Sequence, residues 1–306
     1  MEYAGTVFSQ VAVMFILILA GYLMAKAGMI TNDGRKQMSS VVLTLVTPAL
    51  IFMSYQTEFS PRLVSGLLWA FFLSAITYVI TIPLAYLLVR KRDGRETSIE
   101  RFALIFTNCG FMGIPLVSAL FGAEGVLYVT AYVTLFNFLI WTFGIMMLKN
   151  EMSFSELLHV LRSPTIISIV LGLVCYFTQF KVPGIIGRAL QFAADMNTPL
   201  PMIVAGATMA QTDMLKAIRK PRTLLLCFYR LLLFPVVCAV VLKLFNAPEM
   251  PYTIAVIASA CPVATTLILF SVKYDKNDAY SSELFSITTL LSIISLPAII
   301  MLISLF

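Results

Sequence analysis

Apolar runs of bilayer length follow one another along almost the whole chain, and this feature constrains the fold more than any other. A hydrocarbon core of ~30 Å needs ~20 consecutive apolar residues per helix. Of 306 residues, 60% are hydrophobic and 12% charged, with mean hydropathy +0.94, which excludes an ordinary soluble domain. The reading is therefore an all-α polytopic membrane protein. Ten spans are expected, at 5–27, 37–57, 63–90, 99–121, 124–148, 163–180, 190–212, 222–243, 250–272 and 279–305. Met1 to Gln10 lacks a basic n-region and the run after it is span-length, so no cleavable signal peptide is expected.

One run is interrupted where a membrane helix should be regular. Thr107 to Gly122, TNCGFMGIPLVSALFG, carries Asn108, Gly110, Gly113 and Pro115. Proline removes a backbone donor and clashes with the carbonyl four residues back. Broken backbone at membrane depth is tolerated only inside protein or beside a wet cavity. Ser259 to Phe270 repeats the theme around Pro262. A corresponding pair of interrupted segments is the best sequence pointer to a transporter's substrate site. Pro115 and Pro262 are accordingly expected to make the two breaks, in the fourth and ninth spans.

The two halves look related. Thr47-Pro48 in span two matches Thr198-Pro199 in span seven, Pro83 in span three matches Pro235 in span eight, and Pro115 matches Pro262. Five spans per half is odd, so a second copy enters the membrane from the opposite side, as an inverted repeat. The expected division is 1–149, a cytoplasmic linker 150–162, and 163–306. The tract Lys149 to Arg162 puts Phe154, Leu157, Leu158 and Leu161 on one helical face, which suggests an interfacial helix with His159 as a solvated residue.

Orientation follows the basic residues. Sixteen Lys and Arg lie in or beside the loops after odd-numbered spans, against Arg62, Lys181, Arg188 and Lys243 on the other side. Both termini are thus expected outside an inner (plasma) membrane. The net charge of +6 belongs to this pattern and not to nucleic-acid binding. The five cysteines are scattered through apolar runs and read as core residues, with no metal or cofactor implied.

The segment NCGFMGIPLV at 108–117 resembles the Asn-x-x-x-x-Gly-Ile-Pro-Leu motif of the auxin efflux carrier family, which includes the plant PIN-FORMED carriers. VTPALIF at 46–52, Arg230 with Pro235, ACPVATTLILFSVKYD at 260–275 and LSIISLP at 291–297 agree in order. Without a long hydrophilic central loop the chain resembles a compact bacterial member. The resemblance implies ten helices in two inverted five-helix repeats, with a scaffold of spans one, two, six and seven. It also implies a mobile domain whose fourth and ninth spans cross at their breaks, elevator-like movement and a homodimer. Substrate would sit beside the crossing.

A broken helix exposes unpaired N–H groups and a partial positive charge at the start of its second half, which suits an anion. Candidate substrate residues are Asn108, Gly110, Gly113, Pro115, Pro262 and Arg230. Asn108 either contacts substrate or caps the freed backbone. Arg230, ~12 Å deep in span eight at ~1.5 Å per residue, either snorkels, braces the bundle near Pro235, or adds positive potential to the cavity. Asp195, Asn197 and Thr198 read as hydrated at the interface or as a cation site, and Asp275 and Asp278 as solvated. Gly21 with Ala25, and Gly66 with Ala70, read as close-packing residues. The expected function is a carrier of small organic anions, mono- or dicarboxylate or auxin-like, with a channel or a non-transporting sensor as alternatives. An enzyme is not expected.

Overall fold

A computed structural model describes residues 2–91, 96–149 and 162–304. The helices in chain order are α1 Glu2–Lys26, α2 Asn32–Ser54, α3 Pro61–Leu88, α4 Thr97–Ile105 and α5 Cys109–Leu148. They continue with α6 Pro164–Thr178, α7 Gly184–Asp195, α8 Pro199–Met209, α9 Met214–Ile218 and α10 Pro221–Lys243. The last are α11 Glu249–Ala260, α12 Thr266–Lys273 and α13 Asp278–Ile303. Among the described residues there is no strand, only an isolated antiparallel bridge between Thr107 and Val263. The tract expected to form an interfacial helix, with His159, lies outside the described residues between 150 and 161.

Among the described residues, six helices are long and apolar enough to cross a membrane: α1 over Phe8–Lys26, α2, α3, α5, α10 and α13. The other expected spans fall on shorter pieces. Span four is divided between α4 and the start of α5, span seven between α7 and α8, and span nine between α11 and α12. Span six is α6, a shorter apolar helix. The 40 residues of α5 would extend ~60 Å if straight, about twice a hydrocarbon core. Gly122, with φ 59° and ψ −147°, breaks its course where the boundary between spans four and five was expected. A positive φ in this region is open to glycine and strained for other residues.

Three prolines share one local solution. Val42–Val46, Cys109–Gly113 and Tyr229–Leu233 are π-turns, and Pro48, Pro115 and Pro235 each follow two residues after the turn ends. The residue before each proline, namely Thr47, Ile114 and Phe234, donates its N–H to the carbonyl five residues back. Shifting the ladder by one residue accommodates a ring that cannot donate and would crowd the carbonyl four residues back. Pro115 therefore does not make the break. The chain leaves helical conformation at Phe106 to Asn108, seven to nine residues earlier, and Pro115 sits buried in the first regular turn of α5. Nor do Pro83 and Pro235 match locally, since Pro83 lies inside the continuous α3.

Packing brings α1 against α8 so closely that side chains are excluded. A Cβ on Gly206 would lie 1.8 Å from the Ile18 carbonyl oxygen, and one on Gly21 would lie 2.1 Å from that of Ile203. The space beside Gly66 is likewise filled by the Tyr128 hydroxyl, so Gly21 and Gly66 are packing residues as expected. At one end of the molecule the carboxylate of Glu100 on α4 accepts from Arg222 on α10 and from the Tyr280 hydroxyl on α13, at 3.2 Å for the latter. Glu283 on α13 is held by Lys220 at 2.5 Å and by the Thr223 hydroxyl at 2.6 Å. Both carboxylates are buried and both are paired, which makes them ties between helices. Four of the five cysteines are buried in the core.

Candidate functional site

The two interrupted segments meet back to back. The Asn108 N–H donates to the Pro262 carbonyl at 2.8 Å, and the Ala264 N–H donates to that of Phe106 at 3.1 Å. The Val263 N–H donates to the Thr288 hydroxyl on α13 at 3.2 Å. Extended backbone buried in an apolar bundle must find such partners, and here each break supplies the other's.

This pairing sorts the four helix ends by sign. The C-terminal ends of α4 and α11 converge on the guanidinium of Arg230. Its Nη1 donates to the Leu104 carbonyl at 2.7 Å and its Nε to the Cys261 carbonyl at 3.1 Å. Nη2 donates to Cys261 at 3.0 Å and also to Ser259. Carbonyls at a helix C-terminus lack intrahelical partners and carry the negative end of the helix dipole, so a fully buried cation is stable at that point. Arg230 is 1% exposed. It neither snorkels nor faces the cavity, which leaves the bracing reading, and the π-turn Tyr229–Leu233 is the element that carries it there.

The N-terminal ends of α5 and α12 open on the opposite side, onto a cavity of about 330 Å³. Gly110, Phe111, Thr265 and Thr266 line it, and the first N–H groups of a helix have no carbonyl within it. Asn108 also lines the wall and is buried. Its backbone oxygen accepts from Met112 and Gly113 at 3.0 and 3.3 Å, and its side-chain Oδ1 accepts from the Thr265 hydroxyl at 3.4 Å. Its Nδ2 is buried without a hydrogen-bond partner, as is the hydroxyl of Thr266. The capping is therefore done by the Asn108 backbone, while the amide nitrogen of this cavity-lining residue is buried and unpaired.

Of the expected site residues, the cavity wall includes Asn108 and Gly110 but not Gly113, Pro115, Pro262 or Arg230. A Cβ on Gly113 would lie 3.3 Å from the Cys261 sulfur, so Gly113 serves the approach of the two segments. Pro262 lies inside its break and contributes the carbonyl that pairs Asn108. Two residues not expected at a site, Arg35 and Lys36, line the cavity from α2. The sequence pattern, with span two starting at 37, places them beside a loop. Thr31 instead caps the helix by accepting from the Gly34 N–H at 3.1 Å, and α2 begins at Asn32. Nearby, Thr47 donates to Oδ1 of Asn197 at 3.0 Å. Asn197 is buried and not hydrated at an interface, whereas Asp195, Asp275 and Asp278 are exposed. The Thr-Pro of α2 and the residues before Pro199 thus lie against each other, as the fourth and ninth spans do.

The family model described as "Membrane transport protein" matches this chain over residues 6–155 and 149–300. The chain belongs to that transporter family. It is the auxin efflux carrier-like family that the segment at 108–117 resembles. Among members of the membrane transport family, an "Uncharacterized transporter" of Methanothermobacter thermautotrophicus is 25% identical over 290 residues, covering 92% of this chain and 93% of the relative. A "Putative malonate transporter" of Rhizobium meliloti is 24% identical over 303 residues, covering 94% of this chain and 93% of the relative. Multiple apolar helices and this family membership make the chain a multi-pass membrane transporter.

Proposed function

We propose that this transporter carries small organic anions, bound in the cavity beside the crossing. The observation that carries the reading is the sign of the wall: two helix N-termini and the free Asn108 amide, with Arg35 and Lys36 as its charged side chains and no carboxylate among its lining residues. An anion there gains charge-assisted hydrogen bonds from groups fixed in place before it arrives. The name of the Rhizobium relative agrees with a carboxylate.

In this reading the chain crosses the membrane ten times in two inverted five-helix repeats. Gly122 separates the fourth and fifth crossings, and breaks divide the fourth, seventh and ninth. The two matched segments of the family model meet near 149–155, where the halves were expected to join. The substrate moves with the crossing against a scaffold by an elevator step, and the transporter works as a homodimer, as the family resemblance implies. Both termini are outside the cell membrane. Lys91, exposed beside the basic loop, tests the orientation. A cysteine placed there, in a background without native cysteines, should resist impermeant labelling in intact cells and react after lysis. Efficient labelling from outside would reverse the topology.

The substrate test is a screen of organic acids for thermal stabilisation of the purified protein, with hits carried into proteoliposome uptake. Saturable uptake with counterflow is expected for a carboxylate. Non-saturating flux would indicate a channel, and binding without flux a sensor.

A further inference from the structure

We infer that Arg35 is a specificity residue that takes a second anionic group of the substrate, so that the cavity prefers molecules with two carboxylates over those with one. The inference rests on the anion reading of the cavity and adds a residue and a substrate shape to it.

Arg35 is placed as a ligand-facing cation and not as a structural one. No carboxylate among the described residues lies within ion-pair distance of it, whereas its neighbour Lys36 lies 4.0 Å from Asp33. Its Nη1 donates to the Thr208 hydroxyl on α8 at 3.3 Å, which fixes the direction of the side chain. Its Nε is buried with no partner. A guanidinium has five donors in a planar fork and never loses its charge, so a half-buried one at a cavity keeps donors that an anion can take over from water. Arg230 shows the contrast within the same molecule, because its donors are spent on carbonyls.

The position of Arg35 sets it apart from the crossing. Val42 on α2 packs with Phe111, three residues after Asn108, and with Val204 on α8. Arg35 precedes Val42 by seven residues, which along a helix is ~10 Å. The cavity wall therefore has two anion-seeking poles. One is formed by Asn108 and the helix N-termini, and the other by Arg35 held by Thr208. A short molecule with an anionic group at each end can present one group to each pole, whereas a molecule with a single carboxylate leaves one pole without an anionic partner. Two charge-assisted contacts made by one substrate discriminate strongly against an analogue that leaves one pole unpaired.

The test is proteoliposome uptake of labelled malonate and propionate, three-carbon acids with two and one carboxylates, and of succinate and butyrate as a four-carbon pair. Wild type should favour the dicarboxylate in at least one pair. In Arg35→Gln the ratio of dicarboxylate to monocarboxylate uptake at subsaturating concentration should fall by about tenfold or more, the scale of one lost charge-assisted bond. Arg35→Lys, which keeps the charge without the fork, should fall between. Thr208→Val removes the hydroxyl that aims Arg35 and should lower the ratio in the same direction, which gives a second reading if the glutamine protein does not fold. An unchanged ratio in folded variants, or a wild type that prefers monocarboxylates, would overturn the role of Arg35 while leaving the anion reading intact. A wild type that binds and moves no carboxylate would overturn both.

Discussion

Arg230→Gln is expected to unfold at a temperature lower by about 5–10 °C, from a net loss of about 3 kcal/mol in a chain of this size. The guanidinium spans three carbonyls that belong to two different helix ends, those of Leu104, Ser259 and Cys261. Glutamine has one short amide and cannot reach all three. Each buried acceptor left without a donor costs ~1–3 kcal/mol. Removing the buried charge returns several kcal/mol of desolvation, which is why the net loss is smaller than the sum. Arg230→Lys should fall between, because an ammonium has donors but no planar fork to bridge two helices. Transport should decline in step with stability, since the crossing that positions the cavity loses its brace. The measurement is the unfolding midpoint of purified protein in detergent beside uptake at matched expression. A glutamine variant with the wild-type midpoint and no transport would mean that Arg230 acts on substrate, contrary to its placement.

Asn108→Ala should do the reverse, with transport lost and stability kept. The hydrogen bonds that Asn108 itself contributes to the crossing come from its backbone, and alanine retains them. The side chain contributes one long bond from Thr265, at 3.4 Å, and an amide nitrogen with no partner. Removing a buried donor that is already unsatisfied costs the fold little, so the change should stay within ~1 kcal/mol. If that nitrogen donates to an anion, its loss should lower uptake at subsaturating substrate by about tenfold or more. Asn108→Asp is the sharper comparison. It keeps the shape and places a negative charge on a wall otherwise free of carboxylates. It should transport anions worse than the alanine variant. Better transport by the aspartate protein would point to a cationic or neutral substrate.

Part of this molecule was determined by its sequence alone. The length and apolar character of the runs led to a helical membrane protein because lipid offers no partner for an unpaired backbone. The segment at 108–117 led to the transporter family, and the combination of asparagine, glycine and proline located the broken region. These signals are local, so a few neighbouring residues suffice to express them. The residues nearest the chemistry were decided by the tertiary structure. Pro115 was legible as an interruption, but the break itself lies at 106–108, because its position depends on pairing with Pro262 and Ala264 more than 150 residues away. Arg230 read as a snorkelling residue, a brace or a cavity cation until the ends of α4 and α11 were placed around it. Arg35 and Lys36 were legible only as charges that orient a loop. That they line a cavity follows from where α2 starts and from how α8 packs against it, and both depend on contacts between segments far apart in the chain.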